Sequence, residues 1–313
     1  MSERLSSSFE KEPQAETKVI LEFMRHGEKD PNKTEPKKTD EEVRLTSKGK
    51  AMAVEKGKSL NPQPEVSIAW GSPKKRTQET AAHVMLANQE QINPEASLEE
   101  MEATIDKELN GSGKTRRKII EDERLSFDLS GPAAGEMLEA FKAGKYIPFL
   151  VEKSDDLAIE KGDKTSTTYL RQAGNLAEIV SRYAKVGVNF NRIASKKDDY
   201  KEFGNQLERY LGTHQGVAES FIAKILEKTE GKEKRDAFVV SMGTGFKELQ
   251  GMSIEILNRG EEQEIVVRFE MPVEKDGKIE MKQESVSLSK EILEDIIRER
   301  GEFEKKVLEH AAQ

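Results

Sequence analysis

Three short segments hold the residue types that phosphorus chemistry needs. In "MRHGEKD" (24–30), Arg25, His26 and Gly27 directly follow an apolar run. In "GSPKKRTQETA" (71–81), Arg76 falls in the first turn of a proline-led helical stretch, and in "GTHQG" (212–216), His214 stands just before another. An arginine fork matches phosphate oxygens and keeps its charge at neutral pH. A neutral imidazole can attack phosphorus as a nucleophile. Fixed cations around the equatorial oxygens stabilise a transferring phosphoryl group. A glycine after the histidine permits a sharp turn and close approach of backbone to phosphate. Two imidazoles and two guanidiniums on one rim therefore describe a metal-free phosphoryl-transfer pocket.

The elements that must position these residues follow an α/β rhythm. "KVILEFM" (18–24) and "VSIAW" (66–70) read as buried strands, and "LERYLGTHQG" (207–216) resumes the pattern. Helices are predicted over 45–60, with Thr46 or Ser47 as N-cap, over 73–88 and over 217–229. In open α/β sheets, ligands bind beyond the carboxyl ends of the strands, where loops meet helix N-termini. All three segments lie at such ends. Between 89 and 206 the alternation breaks, and 98–109, 135–144 and 167–186 read as helices. "DAFVVSMG" (236–243) reads as a strand, 252–257 and 264–271 as an antiparallel edge, and 289–312 as an amphipathic helix. The expectation is one domain over 17–313, a three-layer α/β/α sandwich with a mostly parallel sheet and a helical cap insertion at about 89–206. Residues 1–16 read as a polar, disordered leader.

Composition removes several function classes. The chain has 313 residues, a net charge of -8 and no cysteine. Disulfides and thiolate metal sites are excluded, and generic nucleic-acid binding is disfavoured. No apolar run is long enough to span a bilayer. The expectation is a soluble, cytoplasmic protein that takes a small phosphorylated substrate, with no cofactor, metal, membrane or nucleic-acid partner; the oligomeric state is left open. His83 reads as a packing residue on its helix and His310 as a tail residue without a role. Neither has a partner at metal-ligand spacing. "NGSGKT" (110–115) looks like the end of a phosphate-binding P-loop, but the first glycine of that pattern is replaced by Glu108 and no buried strand precedes it.

Together, "MRHGEKD", "SPKKRTQETA" and "GTHQG", with "RLTSKGKAMA" (44–53), resemble the histidine phosphatase superfamily, also called phosphoglycerate-mutase-like. The similar core covers about 17–90 and 207–258. The resemblance implies a phosphohistidine on His26, with Arg25, Arg76 and His214 holding the phosphoryl oxygens, and a carboxyl group that protonates the leaving alcohol and then activates water. One branch of the family places that acid directly after the second histidine, where this chain has Gln215. The other takes a glutamate from a loop after the second helix. "IIEDERLSF" (119–127) offers Glu123 there, with Glu121 and Asp122 as neighbouring alternatives. The implied activity is phosphomonoester hydrolysis. Mutase-type phosphotransfer and catalytically silent phosphate binding are the alternatives.

Overall fold

In the computed structural model, the described residues are 16–33, 36–62, 67–110, 117–194, 205–260, 262–275 and 277–312. The first strand, β1 (Glu16–Arg25), alternates between buried and partly buried positions, so one face packs more tightly than the other. Val19, Leu21 and Phe23 enter one hydrophobic cluster, while Met24 enters a second on the opposite face. Two further strands split in the same way: Trp70 and Ala69 of β2 (Ser67–Gly71), and Leu211 and Tyr210 of β4 (Gln206–Thr213), belong to different clusters.

The smaller cluster is closed by α1 (Ser47–Leu60), α2 (Lys75–Met85) and α3 (Leu98–Thr104). Its alanines, Ala53, Ala69, Ala81 and Ala82, let these helices lie close to the sheet. The larger cluster is closed chiefly by α6 (Tyr169–Ala194), α7 (Val217–Thr229) and α9 (Lys290–Ala311). This is the three-layer arrangement. Thr46 caps α1, its hydroxyl accepting from the Gly49 amide at 3.0 Å.

Among the described residues the sheet has seven strands in the order β3-β2-β4-β1-β5-β6-β7, where β3 is Lys118–Glu121, β5 Gly251–Arg259, β6 Glu262–Lys275 and β7 Lys278–Leu288. The parallel expectation holds for β3-β2-β4-β1; from β1 to β7 every pairing is antiparallel. Two details depart from the sequence expectation. Residues 236–243, expected as a strand, belong mostly to a helix, α8 (Lys232–Met242). Its buried positions are Phe238, Val239 and Met242, a helical spacing, whereas Val240 is 77% exposed. The short apolar run was the misleading signal. Second, the stretch 89–206 is not only helical. β3 forms the edge of the sheet beside β2, and α6 packs Ala173, Leu176, Ala177 and Val180 into the larger core. Between them run a short 3-10 turn (Glu123–Leu125), α4 (Ala134–Lys142) and α5 (Tyr146–Glu160). No helix among the described residues is long and apolar enough to cross a membrane.

Candidate active site

Strand register assembles the site. Arg25, the last residue of β1, pairs with Thr213 of β4, and Gly71 of β2 pairs with Gly212. The next residue on each strand is therefore His26, His214 or Ser72. The His26 amide donates to the Thr213 carbonyl at 3.0 Å, which holds the two histidine-bearing ends together. The imidazole rings of His26 and His214 meet edge to face, with centroids 5.4 Å apart. Two glycines let α1 and α2 pack closely against these strand ends. A Cβ on Gly27 would stand 2.8 Å from the Gly49 carbonyl oxygen, and one on Gly212 would stand 2.0 Å from that of Thr77. The Gly27 amide donates to the Thr80 hydroxyl at 3.1 Å, so α2 also fixes the turn that carries His26.

His26 is 8% exposed and its tautomer is set by the backbone. Nδ1 lies 2.8 Å from the Gly27 carbonyl, which can only accept, so Nδ1 carries the proton. Nε2 is left with its lone pair, and Arg76 Nε donates to it at 3.4 Å. Burial pushes the His26 pKa down from 6.5 to about 3; the Gly27 carbonyl opposes this, and the charges of Arg76, Arg25 and Lys29 add to it. The ring is a neutral base at physiological pH. His214 is also held neutral, first by burial and then by His26, Arg76 and Lys74. Its Nε2 lies 2.9 Å from the Ser72 hydroxyl, which also accepts from the Lys74 amide at 3.2 Å.

Cations converge above this floor. Arg76 is 3% exposed, at the start of α2. The Arg25 side chain donates from Nη1 to the Phe246 carbonyl at 2.7 Å, while its Nε is buried without a hydrogen-bond partner among the described residues. Opposite the Arg76 fork sits Asp40. Its carboxylate reaches Arg76 Nη1 at 3.0 Å and Nη2 at 3.2 Å, Lys74 Nζ at 2.6 Å and Lys29 Nζ at 3.9 Å. Burial alone would raise the Asp40 pKa, but hydrogen bonds from Lys74 and Arg76 hold it well below the usual carboxylate range. A cavity of about 790 Å³ opens here, lined by Lys29, Asp40, Lys74, Arg76, Glu123 and Phe127, among others.

The three neighbouring acids Glu121, Asp122 and Glu123 have different surroundings. Glu121 accepts from Gln78 Nε2 at 3.3 Å. Asp122 is bound by Arg124 at 2.6 Å; burial would raise its pKa, yet Arg124 brings it below normal. Glu123 faces the cavity and has no side-chain hydrogen bond or ion pair among the described residues. Partial burial, followed by the charges of Glu121, Glu41, Asp122 and Asp128, raises its pKa. Glu123 is thus held toward the protonated form, and Asp122 away from it. Lacking a charge partner, it is also free to exchange a proton with a molecule in the cavity.

Residues 21–143 match the Histidine phosphatase superfamily (branch 1). No curated protein matches the chain in sequence. Among solved structures, a mycobacterial glucosyl-3-phosphoglycerate phosphatase is similar at 13% identity and a TM-score of 0.38, covering 78% of this chain and 91% of its own. A phosphoglycerate mutase from Bacillus anthracis is similar at 15% identity and a TM-score of 0.38, covering 79% and 91%. A phosphoserine phosphatase from Entamoeba histolytica, in complex with 3-phosphoglyceric acid, is similar at 14% identity and a TM-score of 0.38, covering 77% and 90%.

The histidine phosphatase match includes Arg25, His26, Arg76 and Glu123 and ends before His214. The fold returns His214 to the same rim through the β1–β4 pairing. His83 is buried on α2, away from this rim, and "NGSGKT" lies outside the described residues except for Asn110. Sequence reasoning missed Asp40, Lys29, Lys74 and Phe127. Lys74 stands inside the quoted motif and carried a signal; Asp40 comes from a polar loop whose residues repeat no pattern. Ser72 lies in the same motif as Lys74, and its hydroxyl is the partner of His214.

Proposed function

We propose that this chain hydrolyses phosphomonoesters through a covalent phosphohistidine on His26. The observation that carries the reading is the fixed tautomer: Nδ1–H is tied to the Gly27 carbonyl, and the Nε2 lone pair faces the arginine-lined rim. In the first step, Nε2 attacks phosphorus and the bond from phosphorus to the ester oxygen breaks. Glu123 gives its proton to that oxygen, which leaves as an alcohol. The positive charge that develops on the ring is stabilised by the Gly27 carbonyl accepting from Nδ1–H. Arg25, Arg76 and His214 hold the phosphoryl oxygens and supply the charge stabilisation the transfer requires. In the second step, water attacks phosphorus, Glu123 takes its proton and the P–N bond breaks. Inorganic phosphate departs and His26 returns to a neutral imidazole.

The test is turnover of an aryl phosphate in the presence of a chelator. Activity that survives chelation and falls by ~10⁴-fold or more in His26→Ala supports the reading. A protein that binds inorganic phosphate but releases no product at any pH would be a silent binder. Supplying 3-phosphoglycerate and following formation of its 2-isomer separates a mutase from a hydrolase.

A further inference from the structure

Among the described residues, the sheet ends at β3 on one side and at β7 on the other. β7 pairs with β6 along its whole length, from Lys278 opposite Lys275 to Leu288 opposite Ile265, and its far edge has no neighbouring strand among the described residues. Val286 and Leu288 are buried, which sets the parity of the strand. Lys278, Glu280, Lys282 and Glu284 share their face; Ile279, Met281 and Gln283 lie on the other. The outer half stands in solvent, with Ile279 77% and Met281 47% exposed.

An exposed edge strand invites another strand, and charges along it often serve to repel one. Here the order of charges does something more selective. The outer half reads Lys-Ile-Glu-Met-Lys-Gln-Glu from 278 to 284. About Met281 the charges mirror with opposite sign: Lys278 reflects onto Glu284, and Glu280 onto Lys282. We propose that two copies of this chain pair through their β7 edges, antiparallel, on a two-fold axis through Met281. In that register every charged residue of 278–284 faces an opposite charge on the second copy, and Met281 meets its own equivalent. Direct cross-strand pairs of this kind are the unit of sheet stabilisation.

The neighbouring registers are blocked. A slide of two residues one way sets Glu280 against Glu280 and Lys278 against Lys282. A slide of two the other way sets Lys282 against Lys282 and Glu280 against Glu284. A slip of one residue places Ile279 opposite Lys282 and breaks the parity of the faces. A slide of four residues either way keeps only two opposite-charge pairs within 278–284, whereas the register about Met281 makes four; that closed, isologous pairing gives a dimer rather than a fibre. Stable interfaces bury roughly 1,200–2,000 Å². A ribbon of this length covers less, so the dimer forms in a concentration-dependent way.

The chain has no cysteine, so Met281→Cys carries a unique thiol. Under mild oxidation, Met281→Cys is expected to give a disulfide-linked dimer at least about tenfold faster than Ile279→Cys, whose two copies stand about 13 Å apart along the ribbon. In sedimentation equilibrium, Lys282→Glu weakens the dimer by about tenfold, because both central pairs become repulsive. Glu280→Lys combined with Lys282→Glu restores it. Met281→Lys dissociates the dimer while leaving the Lys282–Glu284 pair, 2.7 Å apart within the strand, in place. Thermal melts confirm that each variant is folded. A chain that stays monomeric at all concentrations overturns the proposal. So does a dimer indifferent to Lys282→Glu, or cross-linking of Met281→Cys no faster than that of Ile279→Cys.

Discussion

The floor and the mouth of the site are built by different means. On the floor, His26, His214 and Ser72 follow strand ends in register, and their polar atoms are held by backbone groups or by each other. At the mouth, Lys29, Asp40 and Glu123 come from loops or a 3-10 turn; charge pairing holds Lys29 and Asp40, while Glu123 has no ion pair among the described residues. Arg76 belongs to both: it is buried on α2, with Nε toward His26 and its fork toward Asp40. The floor therefore has one geometry, imposed by the sheet. The geometry of the mouth rests on the pairing of Asp40 with Lys29, Lys74 and Arg76.

Replacing Arg76 gives the largest expected effect among tests of this division. Arg76→Ala removes the link and is expected to lower kcat/KM by roughly 10²–10³-fold, the usual scale for losing one oriented donor to the transition state. Arg76→Lys recovers little of it, since an ammonium cannot serve His26 and the mouth from one planar group. Full recovery by lysine would mean that Arg76 acts only as a point charge and that the floor does not extend to it.

Glu123→Gln separates the mouth from the floor. In the proposed reaction the floor attacks phosphorus and Glu123 serves the leaving group. Alkyl phosphates are expected to lose about 10²-fold or more, while aryl phosphates with good leaving groups lose far less. Equal losses would remove the role. The pH profile carries the same information. Because its pKa is raised, Glu123 keeps its proton to higher pH than an ordinary glutamate. Activity on alkyl esters should fall as pH rises through that pKa, and Glu123→Gln should flatten the limb.

On the floor the sign is reversed. A histidine whose pKa is lowered from 6.5 to about 3 stays neutral as the solution is acidified. The ring resonances of His26, followed by NMR from about pH 8 to about pH 5, should show no titration. A midpoint near 6.5 would mean that the ring is more solvated than its 8% exposure allows. The same buried neutral ring favours the unfolded chain in acid: between pH 6.5 and about 3 the unfolded state binds a proton that the native state refuses. Stability contributed by the neutral form should be full above 6.5 and decline below it.

The contrast also explains what could be read from the sequence. Floor residues sit in short motifs because a strand end, a tight turn and a helix start leave few choices of residue: Gly27 lies against Gly49, and Gly212 against Thr77. The strands that carry them show in apolar runs such as 18–24. β3 was hidden because only Ile119 and Ile120 in its short span are apolar and its burial is partial. α8 was misread because Phe238, Val239 and Val240 form a run of strand-favouring residues, and only tertiary packing shows which of them are buried. Asp40 could not be read at all. A carboxylate that meets three cations from a loop obeys no period; its role arises from where Lys29, Lys74 and Arg76 come together in space.

Asp40 gives the smallest expected effect and the sharpest distinction. Its carboxylate occupies the outer fork of Arg76 and binds Lys74, so it competes with a substrate anion for both cations. If that competition dominates, Asp40→Asn lowers KM for phosphomonoesters and Ki for inorganic phosphate, with kcat little changed. The side chain is 52% exposed, so solvent and salt screen the pairs and the gain is expected to be only about three- to tenfold, shrinking as ionic strength rises. The contrary outcome is equally readable. If Asp40 chiefly orients Arg76, the substitution leaves the guanidinium without its partner, and KM, Ki and kcat all worsen together. The Arg76 Nη1 bond to the Asp40 carbonyl, at 2.6 Å, favours the first outcome, because that backbone anchor survives when the carboxylate is neutralised.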